Sequence, residues 1–209
     1  MEETAYQLFL TSRIGDGYCG LHSRSTLEGK ANAHITYMGI EGDYIQYKHD
    51  IISNYYICND VKLKDNSAGY NKKGTIYTFN VFSHPDITAI YKMSKIDIIN
   101  QLDYFGYLMY FFDDGSYHII RNTMHLYCNS FTPEEVDALK QKVFELFPYK
   151  MCRNRIDKKK DGRQYPYLYV PRVTVEAIKE YYTEFMNKTP ALNCMRYKLN
   201  LPSQTIRNE

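Results

Sequence analysis

Two aspartates carry the clearest chemical signal in this sequence of 209 residues. Asp16 and Asp114 are each followed by glycine, and each ends a largely apolar stretch that is predicted to be helical. Paired carboxylates can hold divalent metal, which activates water and neutralises the charge that develops during phosphodiester hydrolysis. Mg²⁺ needs only one or two carboxylates beside water and substrate phosphate. The alternative is that each Asp-Gly is a turn or a helix stop without chemistry.

The two aspartates belong to a pattern that occurs twice in the chain. They lie 98 positions apart (114 − 16). Two further pairs recur downstream in the same order, namely His34 with His125 and Tyr91–Met93 with Tyr197–Leu199. Because the offsets differ only by plausible loop lengths, the chain is predicted to be an internal duplication, with a first repeat at 1–95 and a second at 96–209.

Each repeat is predicted to run helix, two strands, helix, two strands, helix. In the first repeat, the spacing of Thr4 and Gln7 favours Thr4 as the cap of a helix that ends at about Gly15. The next helix is expected near 42–54 and a short one from Pro85 towards Met93. Strands are expected at 32–40, 61–66 and 74–82.

The second repeat has clearer helix signals. Thr132–Glu135 combines a capping threonine, a proline at the first helical position and a capping-box glutamate. Strands are expected at Tyr149–Ile156 and Tyr165–Val170, followed by a helix at about 173–187. The predicted fold class is therefore α+β.

Composition limits the possible classes of protein. Lys and Arg number 26 against 24 Asp and Glu, so the net charge is only +2 and any nucleic-acid binding must rest on local patches. The five cysteines are dispersed, which favours free thiols in a reducing compartment over disulfides or structural zinc. No apolar run approaches the roughly 18–20 residues that span a bilayer. A soluble, intracellular protein without a membrane partner is expected.

Taken together, the sequence motifs resemble those of the single-chain LAGLIDADG homing endonucleases. The resemblance spans about Ala5 to Leu201, and its most specific parts are Tyr107–Gly115, His125–Glu135 and Met195–Leu199. It implies two pseudo-symmetric αββαββα repeats, with the two motif helices packed at the pseudo-twofold axis. It also implies that two four-stranded antiparallel sheets form a saddle on DNA.

The resemblance implies an activity as well. The chain would be a monomeric enzyme that cuts both strands of a long double-stranded DNA site with Mg²⁺ or Mn²⁺, and Ca²⁺ is expected to bind without supporting cleavage. Asp16 and Asp114 would be catalytic and hold the metal. Gly15 and Asp113 are further candidates at the metal site, although Asp113 is more typical of a local cap or hydrogen bond.

A basic residue near each metal would assist the attacking water or stabilise developing charge. The resemblance implies that Lys198 has this role in the second repeat, and Lys92 or Lys95 in the first. Taken singly, each of these would be a solvated surface lysine. His34 and His125 have strand-like neighbours and are expected to face DNA or solvent rather than metal.

DNA contacts are expected along the strands and loops. The segment 149–163 holds seven basic and two acidic residues, a local charge of +5. Alternation puts Lys150 and Asn154 on one face of its strand and Arg153 and Arg155 on the other, and the sequence does not decide which face meets the groove. The full set of candidates is Arg24, Lys30, His34, Lys62, Lys64, Arg121, His125, Asn129, Lys150, Arg153, Arg155 and Lys158.

The first motif departs from the family pattern. Thr11 is matched by offset with Met109 where small residues are usual, and Gly106 lies off register, so either the helix crossing is looser than usual or the first repeat has drifted. Drift would threaten one metal site and leave binding intact. Two alternatives to cleavage follow. One is a binding-only relative, either a maturase whose partner is its own intron RNA or a decayed endonuclease. The other is an α/β interaction protein in which the repeat is purely architectural.

Overall fold

The same order of helices and strands occurs twice along the chain. The structure, a computed structural model, describes residues 2–21, 32–65, 74–158 and 162–203. The first half contains α1 (Glu3–Ile14), β1 (Tyr18–Leu21), β2 (Ala33–Gly39), α2 (Gly42–Ser53), β3 (Lys62–Asp65), β4 (Thr75–Val81), α3 (Pro85–Tyr91) and α4 (Lys95–Asn100). The second contains α5 (Tyr104–Asp114), β5 (Gly115–His118), β6 (Thr123–Tyr127), α6 (Pro133–Leu146), β7 (Arg153–Lys158), β8 (Gln164–Val170) and α7 (Arg172–Lys188). The described residues of the second half also contain two 3₁₀ segments, Ile119–Arg121 and Pro190–Leu199.

Both sheets are antiparallel and have one topology. Their strand orders are β1-β2-β4-β3 and β5-β6-β8-β7. In each sheet the strand after the motif helix is one edge, and the third strand of the repeat is the other edge. The α+β class and the two four-stranded antiparallel sheets are therefore confirmed.

Several predicted boundaries differ from the structure. Glu2 caps α1 because its side chain accepts a hydrogen bond from Ala5 N at 2.9 Å, so the prediction that Thr4 caps this helix was wrong. The capping box at Thr132 and Glu135 is confirmed. Strand β7 begins at Arg153 rather than Tyr149, because the backbone of Lys150 is hydrogen-bonded to the Thr174 hydroxyl instead of a neighbouring strand.

The two motif helices, α1 and α5, pack against each other in the centre of the core. A Cβ at Gly106 would lie only 2.1 Å from Gln7 Oε1, so this glycine permits the close approach of the helices. The buried Gln7 amide is satisfied by Gln101 O at 2.9 Å and by Asp103 N at 3.2 Å. Gly106 thus allows α1 and α5 to pack closely, although the first motif has no glycine at the matching position.

Polar residues inside α1 are satisfied by the backbone of their own helix. The Thr11 hydroxyl donates to Leu8 O at 2.9 Å and the Ser12 hydroxyl to Phe9 O at 2.7 Å. Both residues are buried, as is Met109 on the facing helix. Since their hydroxyl protons are already donated, Thr11 and Ser12 can pack in the core despite their polar character.

The last segment of each repeat packs on the other repeat. Helix α4 contacts α6, and the 3₁₀ segment Pro190–Leu199 contacts α2 and β5. The contact with β5, which lies within the second half, brings Lys198 to the strand that follows α5. No helix in the described part of the chain is both long and apolar enough to cross a membrane.

Candidate active site and nucleic-acid interface

Asp16 and Asp114 occupy matching turns between a motif helix and the first strand of its sheet. Helix α1 ends at Ile14, and Gly15 caps it by donating its backbone N–H to Thr11 O at 2.7 Å. Asp114 is the last residue of α5, which Gly115 caps through Phe111 O. The two carboxylates therefore emerge where the motif helices end side by side.

The glycine after each aspartate is required by close packing. A Cβ at Gly17 would lie 2.5 Å from Ser12 Cβ, and one at Gly115 would lie 2.2 Å from Phe111 Cδ2. In both turns the chain folds back on its own motif helix, which no larger residue allows without rearrangement. The Asp-Gly pairs thus have a structural role that fixes the direction of the aspartates.

The electrostatics of the two aspartates are coupled. Partial burial and the nearby Asp113 raise the pKa of Asp16 to about 6, while Lys48 and Lys198 lower it. Partial burial, then Asp16 and Asp113, raise the pKa of Asp114 to about 7, against the same two lysines. Three carboxylates and two lysines therefore share one centre beneath the ends of the motif helices.

This donor set fits a divalent cation. No hydrogen bond from the described residues lowers the pKa of Asp16 or Asp114, so both carboxylates are held near each other without a donor. A bound cation would favour the charged form of both carboxylates, against the burial and the neighbouring carboxylates that raise their pKa values. Among the described residues no group of three or more His, Cys, Asp or Glu is arranged to hold a metal. The protein would thus supply two carboxylates, as suits Mg²⁺ with water and phosphate as the other ligands.

Lys198 lies at this centre. Its Nζ donates to Gly115 O at 2.7 Å. Partial burial lowers the pKa of Lys198, while Asp113, Asp16 and Asp114 raise it, in that order. An ammonium held next to both aspartates is suitably placed to act on a water or phosphate oxygen bound there.

The lysines expected to act in the first repeat lie elsewhere. Lys92 caps the carboxyl end of α3 and is exposed. Lys95 Nζ donates to Ser130 O at 2.5 Å and lies 3.8 Å from Glu135 Oε2. It therefore links α4 to the start of α6 rather than contacting the aspartates.

Lys48 is the basic residue at the centre that the sequence did not indicate. Its Nζ lies 2.8 Å from Asp113 Oδ1 and 3.1 Å from Oδ2, and both side chains are only 3% exposed. Tyr44 also donates its hydroxyl to Asp113 Oδ1, at 2.9 Å. The expectation that Asp113 hydrogen-bonds locally was wrong, because its partners belong to α2. The single sequence signal was a lysine on the apolar face of the predicted helix.

The outward face of the first sheet combines polar and basic side chains with a few apolar ones. His34 and Thr36 on β2 alternate with the buried Ala33, Ile35 and Tyr37, so they point away from the core. Cross-strand pairing places Lys62 beside Thr78 and Lys64 beside Ile76 on this same face. The Thr36 hydroxyl donates to Asn80 Oδ1 at 2.6 Å. Three of the DNA-contact candidates, His34, Lys62 and Lys64, therefore share one exposed surface.

The outward face of the second sheet is aromatic and basic. Arg153 pairs with Tyr169 and Arg155 with Tyr167, while Tyr169 and Tyr167 flank His125 on the neighbouring strand. The His125 ring lies 4.3 Å from the Tyr167 ring, and burial, then His118, lower the pKa of His125. The opposite face of β7 lies on the side of the helices, since Asn154 donates to Asp137 of α6 at 3.3 Å. Arg153 and Arg155, not Asn154, thus lie on the open face.

The remaining candidates are dispersed around this sheet. Arg121 is exposed and lies near enough to His125 to lower its pKa, and Asn129 is exposed in the turn before α6. Lys150 precedes β7. Lys158 is the last residue of β7 and lies on the same face of the strand as Asn154, opposite to Arg153 and Arg155. Arg24 and Lys30 lie outside the described residues.

Comparison with known proteins identifies the class to which this arrangement belongs. The chain is a member of the LAGLIDADG DNA endonuclease family, whose model matches residues 14–178. The family predicted from the motifs is thereby confirmed. No curated protein sequence matches the chain.

Solved structures are similar in fold. The homing endonuclease I-WcaI bound to its DNA recognition sequence matches with a TM-score of 0.68 and 19% identity, over 95% of this chain and 86% of that one. I-DmoI in complex with DNA and Ca matches with a TM-score of 0.50 and 12% identity, over 84% and 88%. A variant of I-DmoI with nicked target DNA and Mn matches with a TM-score of 0.52 and 12% identity, over 85% and 97%.

Proposed function

We propose that this protein is a monomeric, site-specific endonuclease that cuts both strands of a long DNA duplex in a reaction that depends on divalent metal. The observation that carries the proposal is a pair of carboxylates, Asp16 and Asp114, to which no described residue donates, placed where the two motif helices end side by side. One carboxylate per repeat matches one cut per strand. Because both repeats are in one chain, we expect no second copy to be needed.

Asp16 and Asp114 would hold the metal, and the backbone next to them, at Gly15 and Asp113, is the further candidate for its oxygen ligands. The bound metal would supply an activated water and neutralise charge on the scissile phosphate and the leaving oxygen. The raised pKa values of about 6 and about 7 belong to the metal-free protein, in which partial burial, and then the neighbouring carboxylates, disfavour the charged forms. They imply that protons compete with metal below neutral pH.

Lys198 would assist the chemistry without holding metal. Its ammonium is fixed by Gly115 O at 2.7 Å, in the turn that carries Asp114. From there it can stabilise negative charge on a phosphate oxygen or polarise the attacking water. We expect it to assist at the second repeat alone, because Lys95 is hydrogen-bonded to Ser130 and Lys92 is exposed at the end of α3.

The outward faces of the two sheets would bind the duplex. Lys62 and Lys64 supply positive charge on the edge strand of the first sheet, which favours contact with phosphate. Arg153 and Arg155 are of the type that reads guanine through paired hydrogen bonds. The membership in a DNA endonuclease family favours DNA cleavage over the alternative of a relative that only binds nucleic acid. The I-DmoI complexes with Ca and with Mn support the use of divalent metal by this fold.

Selection of cleaved sites from a randomised duplex library tests this function and needs no assumption about the target sequence. With Mg²⁺ we expect enrichment of one long sequence cut on both strands, because two sheets read the duplex on either side of the centre. The matched control is the Asp16→Asn, Asp114→Asn double variant, which should bind the enriched site and leave it uncut. Equal cleavage by the control, or no enriched site with the unaltered protein, would refute the proposal.

A further inference from the structure

The two motifs differ at the residue that precedes each aspartate. Asp113 precedes Asp114 in the second motif, whereas Gly15 precedes Asp16 in the first. A Cβ at Gly15 would lie 3.1 Å from Asp113 Cβ, so the two positions meet at the crossing of the motif helices. The centre therefore contains a third carboxylate with no counterpart in the first repeat.

A second difference, on the middle helices, matches the first. Lys48 follows the N-cap of α2, Glu41, by seven positions (48 − 41). The residue seven positions after the N-cap of α6, Thr132, is Leu139, which is fully buried. The pair of Asp113 and Lys48 on one side thus corresponds to Gly15 and Leu139 on the other. One charged pair replaces an uncharged one at equivalent places.

Asp113 accepts hydrogen bonds from two residues of α2, Lys48 and Tyr44. The Nζ of Lys48 lies within hydrogen-bond distance of both carboxylate oxygens, at 2.8 Å and 3.1 Å. The Tyr44 hydroxyl adds a third donor at 2.9 Å, and the Tyr44 ring lies 4.2 Å from Lys48 Nζ. Since both charged side chains are 3% exposed, neither is free to turn towards solvent. Asp113 is thereby held on α2, whereas no described residue donates to its neighbour Asp114.

We propose that Lys48 is a positioning residue that withholds the Asp113 carboxylate from divalent metal, so that the centre offers one carboxylate for each DNA strand. This inference rests on the proposed function of Asp16 and Asp114. Without Lys48, Asp113 would become a third anionic ligand beside Asp114, which would bind cations more tightly and displace them from the positions that serve cleavage. Affinity for Ca²⁺ rises with the number of charged ligands in a site.

A direct role in the reaction would require Lys48 to reach DNA. Its ammonium is buried and occupied by Asp113 and the Tyr44 ring, so it does not present a donor to the open surface. Lys198, which is less buried, is the lysine in contact with the turn that carries Asp114. The two lysines are therefore assigned different tasks.

Titration of the protein with Ca²⁺ alone, by calorimetry without DNA, tests the proposal. Lys48→Met should bind Ca²⁺ at least about fivefold more tightly, because one more carboxylate is available. Lys48→Met combined with Asp113→Asn should return the affinity to that of the unaltered protein. Strand-resolved cleavage should follow the same order, with a loss in Lys48→Met that the second change largely restores.

Lys48→Met leaves a buried carboxylate unpaired and could prevent folding. The matched variant is therefore Lys48→Leu with Asp113→Gly, which copies Gly15 of the first repeat and Leu139 of the second and leaves no buried charge. It should fold and bind Ca²⁺ with the affinity of the unaltered protein. An unchanged Ca²⁺ affinity in Lys48→Met would overturn the proposal, and so would altered Ca²⁺ affinity in the charge-free variant. The Ca²⁺ measurements need no cleavage, so they stand apart from a failure of the proposed endonuclease activity.

Discussion

The two sheets have one topology and two different surfaces. In the first, the outward face pairs Thr36 with Asn80 and carries lysines on its edge strand. In the second, tyrosines and His125 fill the same face, and arginines take the edge strand. The buried faces are alike, since the paired Ile35 and Val81 in one correspond to the paired Leu126 and Leu168 in the other as apolar core residues. Residues that form the core preserve the architecture, whereas the outward faces differ.

The two halves of the centre differ as well. Asp16 lies beyond the end of α1 and next to a glycine, while Asp114 lies within the last turn of α5 next to the ion-paired Asp113. Lys198 comes from the second repeat and contacts the turn of the same repeat. The duplication therefore keeps the two carboxylates and the glycines after them, but the surrounding charge is unequal. We expect the two DNA strands and the two half-sites to respond unequally to substitution.

The largest expected effect comes from the aspartates. Asp16→Asn or Asp114→Asn should reduce turnover by at least ~10²-fold while leaving DNA binding largely intact, the order of loss on removal of one electrostatic stabiliser. Because each carboxylate would serve mainly one strand, each single variant should accumulate nicked circles from a supercoiled substrate. Nicked and linear products separate on a gel. A double variant that linearised the target at the original rate would remove these residues from the active site.

Substitutions on the outward faces of the two sheets should have different effects on DNA binding. Arg153→Ala or Arg155→Ala should weaken target binding by about 1–3 kcal/mol and relax specificity in one half-site, as expected for arginines that contact base edges. Lys62→Ala or Lys64→Ala should weaken binding to all sequences and lower the salt dependence by about one counterion each, as expected for phosphate contacts. Binding to a panel of single-base target variants at several salt concentrations distinguishes them. Equal loss of specificity in both half-sites from either pair would contradict the comparison.

A smaller effect is expected at Lys198. Lys198→Met should slow single-turnover cleavage by about tenfold, less than the usual contribution of a group that itself transfers the proton. Lys92→Met is the matched control, because Lys92 is exposed at the end of α3, and it should leave the rate unchanged. Equal slowing by the two substitutions would show that the position of Lys198 at the centre is irrelevant to the reaction.

The smallest effect concerns the stability of the metal-free protein. The pKa of Asp114 is raised from 3.8 to about 7, and that of Asp16 to about 6. A raised carboxyl pKa means that the folded state loses stability as pH rises from the unfolded value through the folded one. Asp114→Asn should therefore stabilise the protein on the order of 1 kcal/mol at about pH 8, after allowance for solvent screening.

Urea unfolding in a chelator measures this gain. It should shrink towards zero near pH 4, where the carboxyl is largely protonated in the folded state and about half protonated in the unfolded one. Asp16→Asn should gain less, because the pKa of Asp16 is raised less. Destabilisation by Asp114→Asn at about pH 8 would show that the carboxylate is favourably paired in the free protein.

Local sequence signals predicted much of the fold. Thr132 and Glu135 define their helix because both partners of the capping box are adjacent in the chain. At α1 two acceptors, Glu2 and Thr4, compete within one turn, and the sequence does not decide between them. The start of β7 depends on Thr174, a residue on α7, and so no local pattern could indicate it.

The candidate site could be predicted to the extent that it repeats. Asp16 and Asp114 were predicted as site residues because each ends an apolar helix and precedes glycine, and Lys198 because it belongs to a motif of the family that the sequence resembles. The pairing of Lys48 with Asp113 joins residues that are 65 positions apart and belong to different repeats. The contact of Lys95 with Glu135 likewise depends on how α4 packs against α6. Interactions of this kind follow from tertiary structure alone.

The central claim is that Asp16 and Asp114 hold catalytic metal between two unequal halves. Its most direct test is anomalous diffraction from Mn²⁺ in crystals of the protein bound to the duplex selected with Mg²⁺. We expect anomalous peaks within coordinating distance of both carboxylates and of the scissile phosphates, with Asp113 still paired with Lys48. Peaks bound by other side chains, or ordered DNA without metal at these two aspartates, would contradict the account.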